Sequence, residues 1–167
     1  LGTCYDGMKV FHTLEDKETL EMTDEFGKQV YALTKRYDLT DFQYTKDNRE
    51  EMFGHKLDVY MRSIGQTITE YLVNFEMLID LMKEYGFRLE TPALKGKHSG
   101  IFDHRDFTYR PGLGGFDQFL SQLASLASKD TRIKRSHAEA LQMLEPENGG
   151  LRELSTLNNW FIFQKVE

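Results

Sequence analysis

His98, His104 and Asp106 stand close together in this chain and are the first residues whose chemistry calls for scrutiny. Imidazole and carboxylate donors hold zinc when their spacing turns them toward one point, and this spacing matches no such ligand motif. Gly96, Gly100, Pro111, Gly112, Gly114 and Gly115 interrupt every period around them, so solvated loop residues are expected there. Nucleophilic and acid–base chemistry find no candidate either. The chain has no Gly-x-Ser-x-Gly elbow, its one cysteine, Cys4, has no histidine at telling spacing, and Glu70 has no clearly matched second carboxylate. The run PGLGG, residues 111–115, lacks the Gly-Lys-Ser/Thr ending that gives a phosphate loop its charge and its metal-binding hydroxyl. Lys129, Arg132, Lys134 and Arg135 in KDTRIKR can meet phosphates, or they form a solvated helix end.

The elements that position such residues are those of one globular domain. Its 167 residues, 40% apolar and 29% charged, suffice for a sizeable core. A net charge of −6 weighs against non-specific nucleic-acid binding, though it leaves room for a pocket that takes one nucleotide. A single cysteine permits neither an internal disulfide nor a thiolate metal cluster, so a reducing setting is expected, with Cys4 as a small buried hydrophobe. No run approaches the roughly 20 apolar residues of a membrane span and no signal-peptide pattern opens the chain, so no membrane partner is expected.

The opening LGTCYDGMKVF reads as a strand tail entering a helix, with Asp6 as the cap and Val10, Phe11 and Leu14 at helical spacing. Residues 26–37, FGKQVYALTKRY, offer Val30, Ala32 and Leu33 to the buried side of a strand, and 53–61, FGHKLDVYM, alternate Leu57, Val59 and Met61 in a second. The two can pair antiparallel, with DFQYTKDNREEM as a polar loop between them. Leu72, Phe75, Leu78, Ile79, Met82 and Tyr85 predict an amphipathic helix over 68–85, ended by Gly86 and followed by a short FRLET strand. Phe119, Leu120, Leu123 and Leu126 predict a further helix, HAEALQML suggests another, and NNWFIFQKV closes the chain as one aromatic strand.

Taken in order, GTCYDG, FGKQVY, FGHKLDVY, TEYLVNFEMLIDLMKEYGFRL and WFIFQK resemble the second half of mRNA cap guanine-N7 methyltransferases, most of all the capping enzymes of large DNA viruses. The likeness covers most of residues 1–91 and 155–165, with a loose helical match between. It implies an α/β fold: the C-terminal part of a class I, Rossmann-like, S-adenosylmethionine-dependent methyltransferase with inserted antiparallel strands, residues 1–167 forming a single partial domain. The Gly-rich turn and acidic strand end that bind the methyl donor are not in this sequence, so the resemblance places the S-adenosylmethionine site upstream of Leu1. An incomplete sheet with an exposed or re-paired edge is then expected.

The resemblance also assigns residues. Glu70 aligns with the glutamate that accepts from the N1–H and N2 amino group of the cap guanine, while the residues alone fit a capping box, Thr67-Ile68-Thr69-Glu70, at a helix start. Phe53 is the choice for an aromatic wall, against a core role. Asn158 falls where the family carries a cap-contacting Tyr; it can hydrogen-bond but not stack, so Trp160 or Tyr5, the latter standing where cellular members tend to have Pro, can supply the missing surface. The implied reaction moves a methyl group from S-adenosylmethionine to N7 of a GpppN cap. That nitrogen has an in-plane lone pair and loses no proton, so positioning suffices without a general base. Implied partners are the 5′ capped RNA end, the N-terminal half of the methyltransferase domain, and guanylyltransferase or triphosphatase modules of the same polypeptide. The implied location is cytoplasm or nucleus, or a viral replication site or virion. Two alternatives stay open: a non-catalytic α/β subunit that binds or stabilises a capping methyltransferase through an open edge or the basic cluster, and a fragment of a small-molecule methyltransferase.

Overall fold

Asp6 acts as a short acceptor before an apolar run should. Its carboxylate accepts from the backbone N–H groups of Met8 (3.0 Å) and Lys9 (3.4 Å), starting helix α1, Gly7–Thr13, directly after strand β1, Gly2–Tyr5. The computed structural model describes residues 1–89 and 112–166, which group into two compact units. One comprises Tyr5–Leu81; the other comprises Leu1–Cys4 and the described residues from Met82 onward. Described separately below, the two units give a mixed α/β fold with antiparallel sheets.

Unit Tyr5–Leu81 is built on a four-stranded antiparallel meander. Its strands are β2 (Thr19–Thr23), β3 (Gln29–Arg36), β4 (Lys56–Met61) and β5 (Gln66–Tyr71), in that spatial order. Register pairs Leu20 with Leu33, Leu33 with Val59, Val59 with Ile68, and Leu57 with Glu70. Directly paired residues share a face, so one face carries Leu20, Tyr31, Leu33, Leu57 and Val59, all buried. The ammonium of Lys35, on that same face, donates to the Leu14 carbonyl at the end of α1 (2.8 Å). The opposite face is polar: Thr19 and Thr34 share a hydrogen bond (3.0 Å), and Asp58 meets Arg36 (2.7 Å) and Thr69 (2.8 Å). Strand β2 was not foreseen, and the packed side of β3 is led by Tyr31 and Leu33, with Val30 only half-buried.

The helix expected over 68–85 is two elements. Residues Thr67–Tyr71 belong to β5, and helix α2 spans Phe75–Glu84. Two β-branched threonines, an isoleucine and a tyrosine prefer the pleated surface of a strand, which overrides a helical pattern that truly begins at Leu72. Asn74 is the cap: buried, it accepts from Glu76 N (3.0 Å) and Met77 N (3.2 Å) and donates to the Phe42 carbonyl (2.8 Å). That last bond ties the polar stretch 41–52 to α2, and it explains why Phe42 and Met52 are buried in a segment read as solvated loop. Within that stretch Arg49–Met52 form a 3-10 turn.

The other unit holds a three-stranded sheet in the order β1, β8 (Asn158–Phe161), β7 (Leu113–Gly115), and a two-stranded ladder of β6 (Phe87–Leu89) with β9 (Phe163–Lys165). Its helices are α3 (Phe116–Ala127), α4 (Thr131–Ser136), α5 (Ala138–Gln142) and α6 (Gly149–Thr156), with Leu120, Leu123, Leu154 and Leu157 buried. The terminal aromatic stretch is therefore two strands in two sheets, broken at Ile162, whose N–H donates to the Gly112 carbonyl (2.7 Å). PGLGG also contains a strand, since Gly114 pairs with Trp160. A Cβ on Gly114 would stand 2.6–2.8 Å from indole atoms, so the ring lies against bare backbone that only glycine provides. Gly86 adopts φ +77° and ends α2 as expected.

Candidate functional site

The site grows from one backbone contact inside unit Tyr5–Leu81. Gly7 N–H donates to the Val73 carbonyl (2.9 Å), pinning the turn after β1 to the chain that leaves β5. The approach requires glycine, because a Cβ there would lie 2.7 Å from the Val73 carbonyl oxygen and from the Phe42 ring. Tyr5 lies two residues before this contact and Glu70 three before it, so the bond holds their stretches of backbone in one region of the unit. Tyr5 is buried, with 9% of its surface exposed, beside the fully covered Tyr31. Its hydroxyl is pushed up to about 12, first by burial and then by the negative charges of Glu70 and Tyr31, so it is a donor at all physiological pH.

Glu70 sits on the sheet's packed face but on its edge strand. Gln66, Ile68 and Glu70, the β5 residues on that face, all remain exposed, making an open strip of one amide, one apolar and one acidic side chain. Enough protein surrounds the Glu70 carboxyl to raise its pKa by desolvation, and no hydrogen bond or ion pair to a described residue offsets that cost. An acceptor left partly dehydrated and unpaired is suited to a ligand that brings its own N–H donors. The capping-box role does not hold, because Glu70 lies in a strand and Asn74 caps the helix instead.

The remaining candidates divide. Phe53 follows the 3-10 turn and is 46% exposed, so its ring is available as a wall rather than committed to the core. It precedes β4 at the end of the β4–β5 ladder where Lys56 pairs with Tyr71, the same end that carries Glu70. Asn158 belongs to the other unit, where its amide donates to the Leu154 carbonyl (3.2 Å) and closes the end of α6. Trp160 has one face taken by Gly114. Tyr5 is too covered to serve as an open stacking surface; its accessible contribution is its hydroxyl, which no described residue hydrogen-bonds and which is not among the sealed, unpartnered polar atoms.

His98, His104 and Asp106 lie outside the described residues. Among the described residues no group of three metal-binding side chains converges. The basic run is solvated, with Lys134 and Arg135 exposed on α4 and Arg132 folded back on Asp130 (3.0 Å). No described helix is long and apolar enough to cross a membrane. Sequence reasoning missed Tyr31 and Asn74 as supports of this region, although Asn before a Phe-led apolar stripe is a helix-start signal. No protein-family model matches the chain, and no curated protein matches it.

Proposed function

We propose that this chain supplies the base-recognising side of an mRNA cap guanine-N7 methyltransferase. The observation that carries the reading is Glu70, which the resemblance assigns to the cap guanine and which stands exposed on the sheet's edge strand with a partly desolvated carboxyl that no described residue engages. Glu70 accepts from guanine N1–H and the N2 amino group, and exposed Phe53 offers a flat apolar surface for the ring. The methyl donor, S-adenosylmethionine, is held by polypeptide outside these residues. The base is oriented so that its N7 lone pair meets the sulfonium methyl in line; no proton moves, and no general base takes part.

The order of the three-stranded sheet also supports the reading, since GTCY of β1 and NNWF of β8, the two ends of the resemblance, are neighbours, with β1 at the sheet's edge. A second reading is a non-catalytic α/β subunit that binds or stabilises a capping methyltransferase. Methyl transfer to GpppA, measured with the chain joined to a polypeptide that binds S-adenosylmethionine, separates them. Glu70→Ala should lose N7 methylation by a hundredfold or more, on the order of the loss when a key positioning contact is removed, with S-adenosylmethionine affinity kept. Unchanged turnover would reject the cap reading.

A further inference from the structure

The sheet of unit Tyr5–Leu81 ends in two edge strands, and they are not alike. Strand β2 is guarded: its register against β3 slips between Met22 and Thr23, and Glu21 gives it a charge on the polar face. Strand β5 has no such bulge and holds no Lys or Pro. Its residues Gln66–Tyr71 pair one to one with β4, and every one of them is exposed. An edge of this kind is a template for another strand. Neighbouring bonds fix which backbone groups it offers. Leu72 N–H donates to the His55 carbonyl (2.9 Å) and Arg62 N–H to the Val30 carbonyl (2.9 Å), so by antiparallel alternation Gln66, Ile68 and Glu70 turn their N–H and C=O groups toward β4. Those of Thr67, Thr69 and Tyr71 point away from the sheet, and no described residue hydrogen-bonds them.

We propose that β5 is an interface strand that pairs antiparallel with β5 of a second copy of this chain, about a two-fold axis at Thr69. The strand is complementary to itself. Its outward groups are centred on Thr69, so Thr69 exchanges both bonds with Thr69 of the second copy, while Thr67 exchanges both with Tyr71 of that copy and Tyr71 with its Thr67. The side chains match in the same register. On the polar face Thr69 meets Thr69 and Tyr71 meets Thr67, both favourable cross-strand pairs; on the other face Ile68 meets Glu70, and no like charges stand directly opposite. The pairing also closes at two, because the joined sheet leaves only the guarded β2 strands at its outer edges. None of this draws on the cap reading.

The test follows the mass of the full chain by sedimentation over a rising concentration series. Wild type should pass from one chain to two. Thr69→Pro removes an outward N–H and no backbone bond to β4, and it should weaken pairing about tenfold or more, since two intermolecular bonds are lost. Thr69→Lys keeps the strand backbone and sets two ammonium groups face to face across the axis, so it should weaken pairing as well. With Cys4 replaced by Ser, Thr69→Cys should cross-link two chains under mild oxidation far faster than Ile64→Cys, which sits in the turn before β5. A wild type that stays single at every concentration overturns the proposal. So does a dimer that survives either Thr69 substitution in a folded variant, or equal cross-linking at positions 64 and 69. Circular dichroism checks the fold of each variant, and should Thr69→Pro not fold, Thr69→Lys decides.

Discussion

Glu70 costs the fold at neutral pH, because its carboxyl is partly desolvated and no described residue pairs with it. Burial raises its pKa above the ordinary 4.5, so the folded protein holds the proton more tightly than the unfolded chain does. Its contribution to stability is therefore complete below the ordinary value and is lost as pH climbs through the raised one. Glu70→Gln should melt higher than wild type at pH 7, and the two melting curves should converge below pH 4.5; a variant that melts lower at neutral pH would mean that the carboxylate is internally paired after all. Tyr5 follows the same rule at the alkaline end. Its protonated form stabilises the fold below pH 10, and that contribution fades as pH rises toward 12, so absorbance at the tyrosinate band should show one phenol titrating near 12 that Tyr5→Phe removes. Glu70 was identifiable in the sequence only through the order of motifs around it. Nothing in its local pattern separated a strand-edge acceptor from a helix cap, because Thr-Ile-Thr-Glu satisfies both.

Two local patterns competed for one stretch of chain, and the element boundary between β5 and α2 shows which prevailed. A capping box predicts that Thr67→Ala costs about 1 kcal/mol, whereas a strand position whose surroundings are solvated predicts less than about 0.5 kcal/mol. Asn74→Ala should cost about 2–4 kcal/mol, the loss of a helix cap plus a buried carbonyl left unpaired. Urea unfolding of both variants measures the contrast, and a larger loss at Thr67 than at Asn74 would contradict the boundary. Gly114→Ala tests the other unit. A methyl group 2.6–2.8 Å from the indole must push Trp160 off the backbone, which a red shift of the chain's only tryptophan emission would report. The Leu57–Val59 alternation, the α3 stripe and the Asp6 cap were legible because each rests on near neighbours. The split at Ile162 and the strand in PGLGG were not, since each is held by a partner far along the chain, Gly112 and Trp160, and β2 was missed although its partner β3 follows it directly. The buried face of β3 also escaped the alternation, because Ala32 is covered on the polar side as well.

At the scale of the molecule, a net charge of −6 limits how a nucleic acid can be held. On the cap reading, recognition is concentrated on a few groups rather than spread along a phosphate track, since the basic run near α4 is solvated with Arg132 already paired. Affinity for a short capped RNA should accordingly fall only gently with salt, with a log–log slope shallower than about −3 on the scale of roughly −0.7 per neutralised phosphate of a single strand. A steep slope would mean a phosphate-tracking surface instead of a base pocket. The most direct measurement of the central claim is an NMR titration of the full chain and of Glu70→Ala with GpppA and ApppA. The account predicts that GpppA, and not ApppA, shifts the resonances of Tyr5, Leu57 and Glu70 in the wild type, and that the shifts vanish in the variant. Equal responses to the two dinucleotides, or a GpppA response that survives loss of the carboxylate, would contradict it.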